Sequence, residues 1–184
     1  MIIGLTGSYA SGKDTAADYI IRKFGFEHFS LSDIIREEMK AQGVEPTREN
    51  LIVFGTKLRA QNGNGVLSKM AIKKTDSGKN YCITSIRHPD EVLELKKNAN
   101  FILIDIDAPA KIRFERMKKR NRNGDPQDFD TFVKLEQKES QEEGSGQQLS
   151  KTAALADIKI TNDSDDVKNL EKQIDALIKK FENK

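Results

Sequence analysis

Residues 7–13 read "GSYASGK", a G-x-x-x-x-G-K pattern that follows the apolar run "MIIGLT" and precedes a helical pattern starting at residue 13. Gly7 and Gly12 allow a tight backbone turn in which successive N–H groups converge on an anion, with Ser8, Ala10 and Ser11 between them. Lys13, at the start of the following helix, reaches the outer phosphates, and the helix terminus adds its own attraction for negative charge. A loop of this kind implies the phosphates of a nucleoside triphosphate, and the strand before it and helix after it favour that reading over a ligand-free glycine-rich turn. The next residue departs from the common pattern. Where Ser or Thr normally follows the lysine and offers a hydroxyl to magnesium, this chain has Asp14, and Thr15 points about 100° further round the helix. Asp14 is expected to ligate Mg²⁺ directly or through water; the competing expectation is that it caps or pairs elsewhere.

Phosphoryl transfer needs cations around two sets of phosphates and little covalent help. Arg36 and Arg87 each follow an expected strand, so both can point into the crevice at the carboxyl end of a sheet, where the planar guanidinium binds phosphate oxygens two at a time. For Arg36 the alternative is a solvated pair with Glu37 or Glu38. Between Lys111 and Arg122, seven of twelve residues are basic. On a helix Arg113, Arg116 and Arg120 fall within an arc of roughly 60°, with Ala110, Phe114 and Met117 forming an apolar stripe beside them and Lys111, Lys118 and Arg122 on the other side. Such segregation suits a phosphate clamp, with Arg116 and Arg120 leading and Arg122 reaching from the following turn. RNA binding is the competing use of the charge, but no aromatic platform for bases accompanies it.

These residues need a scaffold. Short runs rich in Ile, Val and Phe alternate with longer helical patterns, the mark of βα units on a parallel sheet. Five strands are expected at 1–6, 26–30, 80–86, 100–106 and 157–161, the fourth apolar on both faces as far as Asp105 and therefore central. Helices are expected at 13–24, 31–42, 47–60, 64–74, 89–97, 109–121, 129–142, 147–154 and 165–181. The last of them gathers Val167, Leu170, Ile174, Leu177 and Ile178 on one face. With 184 residues, 31 basic and 29 acidic side chains and a net charge of +2, the chain reads as one soluble α/β domain with no global pull towards nucleic acid or membrane. Met1 starts directly on a strand and no apolar run approaches a membrane span, so a cytoplasmic protein is expected. Cys82 lies in "NYCITSI" and reads as a buried, inert thiol; His28 and His88 read as surface or packing residues.

Across nearly its whole length the chain resembles P-loop nucleotide kinases, the group that includes adenylate kinase, other nucleoside and deoxynucleoside monophosphate kinases and dephospho-CoA kinase. "GSYASGKDT" is similar to the loop of deoxynucleoside monophosphate kinases, "FSLSDIIREEMKAQG" to the acceptor segment of adenylate kinases, "ITSIRHPDEVLEL" to their third strand and its arginine, and "RFERMKKRNRNGD" to their lid helix. "ALADIKITNDSDDVKNLEKQI" resembles their final strand and the loop whose asparagine, here Asn162, packs beside adenine. The resemblance implies a three-layer P-loop kinase fold with a five-stranded parallel sheet, a helical acceptor-binding insertion at about 31–75 and a short lid near 116–130. It implies ATP and Mg²⁺ as cofactors, Lys13, Arg87, Arg116 and Arg120 as catalytic groups, and Arg36, Arg87 and Arg122 on the substrate. Asp33 stands where dephospho-CoA kinases keep an acid that accepts a proton from a sugar hydroxyl; capping of helix 31–42, with Ser30 or Ser32 as competitors, is its other expected role.

Two departures accompany the resemblance. Thr84 and Ser85 stand where monophosphate kinases have an Asp at the end of strand three, so the carboxylate near magnesium is expected to have moved to Asp14. No arginine occurs after Arg122, leaving Lys134 and Lys138 as the nearby substitutes for a second lid arginine. The expected activity is transfer of the γ-phosphoryl group of ATP to a small-molecule nucleotide acceptor, most simply a nucleoside or deoxynucleoside monophosphate. Dephospho-CoA kinase is the alternative within enzymes, and a nucleotide-binding switch or RNA-associated ATPase the alternative outside them; monomer and dimer are both left open.

Overall fold

The computed structural model describes residues 1–121, 125–141 and 143–182, without the side chains of Lys138, Glu139, Gln141 and Glu182. Five parallel strands form one sheet in the order β2-β3-β1-β4-β5: β1 (Ile2–Thr6), β2 (Glu27–Ser30), β3 (Tyr81–Thr84), β4 (Phe101–Asp107) and β5 (Ile158–Thr161). Between and after them run α1 (Lys13–Phe24), α2 (Leu31–Ala41), α3 (Arg48–Asn62), α4 (Val66–Ile72), α5 (Pro89–Leu95), α6 (Ala110–Arg120), α7 (Phe129–Gln141), α8 (Leu149–Ala154) and α9 (Val167–Glu182). Each expected strand and helix is present, displaced by at most a few residues. β4 is interior, paired with β1 on one side and β5 on the other, but the middle of the sheet belongs to β1, which pairs with both β3 and β4.

Strand alternation explains the layers. Ile3 and Leu5 of β1 and Ile104 and Ile106 of β4 pack with Ala16, Ala17 and Ile20 of α1 and with Leu170, Ile174 and Ile178 of α9. Ile2, Phe101 and Leu103 point the other way, into a second core with Leu31, Ile34 and Met39 of α2, Leu67 of α4 and Leu95 of α5. The strands are thus apolar on both faces because both faces are covered. Phe114 and Met117 of α6 join Phe132 of α7 in a third, smaller core, and the phosphate-loop residues Tyr9 and Ala10 pack against it. Among the described residues no helix is long and apolar enough to cross a membrane.

Candidate functional site: a phosphate loop beside an arginine-lined cleft

The loop at the end of β1 takes the conformation that its glycines permit. Gly7 (φ 144°) and Gly12 (φ 103°) lie in backbone regions that L side chains rarely occupy, and a Cβ on Gly7 would stand 2.1 Å from the Ile106 carbonyl oxygen. Ala10 follows the same path at φ 60° without a glycine's freedom, a small cost taken at the loop itself. Ser11 N–H donates to the Ser8 carbonyl at 3.2 Å, and Lys13 Nζ donates to the same carbonyl at 3.2 Å, folding the lysine back over the loop. Asp14 and Thr15 are exposed in the first turn of α1, the residues next to the loop's lysine.

Asn162 braces the loop from behind. Its buried side-chain amide donates to the Ser11 carbonyl at 2.8 Å, its backbone N–H donates to the Asp107 carbonyl at 2.7 Å, and a Cβ on Gly12 would come within 2.3 Å of its Nδ2. Arg116 of α6 then holds the loop that carries Asn162: Nη1 donates to the Asn162 carbonyl at 3.1 Å and Nη2 to that of Ser164 at 2.6 Å, with Asp165 3.6 Å from Nε. Arg116 therefore sits at the β5–α9 loop.

Beside the phosphate loop opens a cleft of about 750 Å³ whose wall includes Arg36, Arg48, Arg59 and Arg87, with Tyr9 and Asp125 at its loop end. The central support of this wall is Glu91, which is completely buried. One of its oxygens accepts from Arg59 Nε at 2.9 Å; the other accepts the backbone N–H groups of Arg87 at 2.8 Å and His88 at 3.1 Å. Glu91 sits three residues after the N-cap His88, whose Nδ1 accepts from Asp90 N–H. One carboxylate thereby satisfies the start of α5, neutralises a buried arginine from α3 and sets the backbone from which Arg87 projects. The Arg87 side chain is steadied by the side-chain oxygen Oε1 of Gln147, which accepts from Nη1 at 2.8 Å. His88 is a buried capping and packing residue whose Nε2 lies 3.0 Å from the Gly144 carbonyl.

Arg36 reaches the cleft wall from α2, and its solvated partner is Asp33, at 2.6 Å, rather than Glu37, which pairs with Lys74. Asp33 is about half exposed and bound to Arg36 at the cleft's rim, while the N-cap of α2 is Ser30, with no side-chain capping bond. The i,i+3 spacing on α2 brings Asp33 and Arg36 together.

The arginine arc of α6 divides. Arg113 turns inward, bonded to the carbonyls of Ala108 and Tyr9 and bidentate to Glu136 of α7, so it ties α6 to α7 instead of facing phosphates. Glu136 neutralises Arg113 there, which permits the inward turn among the apolar side chains of Phe114 and Phe132. Arg120, the last residue of α6, lies with its Cζ 4.8 Å from the Tyr9 ring centroid. Arg122 lies outside the described residues, as does the side chain of Lys138; Lys134 is exposed on α7.

Burial and charge shift several groups. The Asp105 carboxyl, near the end of β4, is pushed up to about 6 by burial, with Asp107 adding to the effect and Lys159 opposing it. Burial drives the Cys82 thiol up to about 12, so it is inert as expected. The Tyr9 hydroxyl is also raised, by burial first and then by its bond to Asp125, against the pull of Arg120.

Tyr9, Arg48, Arg59, Glu91, Asp125 and Gln147 escaped the sequence reading. For Glu91 a signal existed, since "HPDE" places an acid three residues after a helix start. The others meet only through the tertiary fold.

Comparisons with known proteins agree with this architecture. A family model described as an AAA domain matches residues 6–133. A UPF0200 protein of Pyrococcus abyssi is 33% identical over 188 residues, covering 98% of this chain and 97% of that protein. One from Methanocaldococcus jannaschii is 30% identical over 167 residues, covering 89% and 82%. Among solved structures, shikimate kinase from Acinetobacter baumannii in complex with shikimate is similar with a TM-score of 0.61 and 14% identity, over 100% of this chain and 95% of that one. Shikimate kinase from Aquifex aeolicus gives 0.59 and 18%, over 97% and 96%. At these identities the likeness shows the fold alone, that of P-loop kinases.

Proposed function

This chain belongs to the UPF0200 family, and within it we propose a phosphotransferase that moves the γ-phosphoryl group of ATP to a nucleoside or deoxynucleoside monophosphate. The observation that carries the proposal is the cleft of about 750 Å³ beside the phosphate loop, walled by Arg36, Arg48, Arg59 and Arg87. A wall of guanidinium groups opposite a loop of backbone N–H groups suits two phosphate-bearing ligands meeting end to end. Arg87 and Arg36 grip the acceptor phosphate; α2 to α4, within residues 31–75, enclose the rest of that nucleotide, and the segment 116–130 is the lid.

On the donor side the loop N–H groups of residues 7–13 hold the ATP phosphates, and Lys13 and Arg120 stabilise charge on the transferred group. Asn162 and Arg116 shape the loop beside the adenine. Mg²⁺ fits the residues present: this ion is commonly held by one or two carboxylates together with phosphate oxygens and waters, and Asp14 supplies an exposed carboxylate beside Lys13. Asp14 would hold the ion, whose positive charge would offset the negative charge developing on the phosphates. Asp33, already bonded to Arg36, has no proton to remove from a phosphate acceptor.

The test is ADP release measured over a panel of nucleoside and deoxynucleoside monophosphates, dephospho-CoA, shikimate and water. Saturable release with one or more monophosphates is expected. Release only with a hydroxyl acceptor, accompanied by collapse of kcat in Asp33→Asn, would replace this reading; release with water alone would reduce the protein to an ATPase or switch.

A further inference from the structure

Tyr9 is a bulky aromatic residue inside the phosphate loop, and nothing in anion binding by backbone N–H groups calls for a ring there. Its surroundings explain the ring. Two guanidinium carbons lie over it, Arg120 from the end of α6 and Arg48 from the start of α3, each 4.8 Å from the ring centroid. Its hydroxyl donates to Asp125 Oδ1 at 2.6 Å, which fixes the ring against the segment following the lid helix. Arg120 Nε and Nη2 are buried and have no hydrogen-bond partner among the described residues. Donors of that kind normally cost free energy unless something binds them. The helix ends at Arg120, where Asn121 turns to φ 46°.

From this arrangement we infer that Tyr9 is a positioning residue, whose ring holds Arg120 beside the phosphate loop with the donors of Nε and Nη2 kept for the terminal phosphoryl group of the triphosphate. The inference rests on the reading of residues 7–13 as the ATP site. A guanidinium lies flat on an aromatic face, attracted by the ring's electron density, and loses rotational freedom before the ligand arrives. The ring thus does in advance what the incoming phosphate would otherwise have to do. Arg48 on the same ring connects the acceptor cleft's wall to the same point, so the loop, the lid helix and the acceptor insertion meet at one side chain. Asp125 sets the ring's orientation through the hydroxyl and acts at one further remove.

The test compares ATP and ADP affinities by titration calorimetry and uses no acceptor, so it decides the role of Tyr9 whether or not a monophosphate is turned over. In Tyr9→Leu, ATP binding should weaken roughly tenfold while ADP binding changes by less than about threefold, because ADP lacks the group that Arg120 meets. Tyr9→Phe keeps the ring and should recover most of the ATP preference. In an Arg120→Ala background, Tyr9→Leu should cost ATP binding less than about twofold more, since Tyr9 acts through Arg120. Should Tyr9→Leu melt at the titration temperature, Tyr9→Met, which fills the space without a π-face, takes its place. Equal losses for ATP and ADP, no recovery with phenylalanine, or full additivity with Arg120→Ala would each overturn the inference.

Discussion

The phosphate loop and the arginine-lined cleft, proposed above as the donor and acceptor sides, are built from different materials. On the donor side the anion site is mostly backbone: two glycines set the loop, the N–H groups line it, and Asn162 props it from behind. On the acceptor side the site is side chains, and each arginine needs its own support, whether Glu91 for Arg59, Gln147 for Arg87 or Asp33 for Arg36. The buried carboxyls repeat the contrast. Glu91 accepts hydrogen bonds from a guanidinium and two backbone N–H groups, whereas Asp105, beside the donor loop, meets Lys159 Nζ only at 3.9 Å. A backbone site is tied to the fold and changes little with side-chain substitution; a side-chain site can be retuned for another acceptor without rebuilding the sheet.

If the acceptor wall depends on Glu91 as described, its largest weakness is Arg59. Arg59→Ala leaves a fully buried carboxylate without its cation, and denaturant unfolding should register a loss of about 3–5 kcal/mol. A loss under about 1 kcal/mol would mean that water reaches Glu91 and that the wall is not built this way. The donor side should break differently. If Lys13 contacts the transferred group as proposed, Lys13→Ala should lower turnover ~10²- to 10³-fold while the melting temperature hardly moves. Near-normal turnover would remove the loop from the chemistry.

Arg87→Ala probes the acceptor side by function. It should raise the acceptor KM roughly 10- to 100-fold, the worth of a lost charged hydrogen bond, with the KM for ATP nearly constant. An equal rise in both would show that the two sides are not separate. The smallest effect belongs to Asp105. Its folded-state value of about 6 lies above the ordinary carboxylate range, so the native protein binds the extra proton. The stability is therefore fully present below about pH 4 and is lost as pH rises through about 6. Asp105→Asn should abolish that decline and leave the protein about 1–2 kcal/mol more stable than the parent at pH 7.5, measured by urea unfolding at several pH values. An unchanged profile would place Asp105 in contact with solvent.

The same contrast governs what could be read from the chain. The phosphate loop is contiguous, so "GSYASGK" between strand and helix announces its geometry, and the alternation of apolar runs with helical periods marks out the sheet and its helices. The middle position of β1 was less visible, since strand order depends on crossovers rather than on how apolar each strand is. In the cleft, Arg36 and Arg87 were legible because both follow strands. Arg59 was not, because its partner lies 32 residues away on another helix. Arg113 and Arg120 share one helix face, yet one turns inward to Glu136 and the other lies on Tyr9; angular position cannot tell them apart without knowing where α7 and the loop pass. Asp33 shows a different failing: its position in the first turn of α2 was legible, but its pairing with Arg36, three residues on, was not, and the N-cap is Ser30.

The measurement closest to the centre of this account follows the phosphoryl group itself. With ATP labelled at the γ position and the most active monophosphate as acceptor, ³¹P NMR and product chromatography should find the label as the β-phosphoryl group of a nucleoside diphosphate, formed in step with ADP. Arg87→Ala should slow its appearance at low acceptor concentration and recover as the acceptor approaches saturation. Label found only in inorganic phosphate, or esterified to a sugar hydroxyl, would contradict an acceptor phosphate held in the arginine-lined cleft.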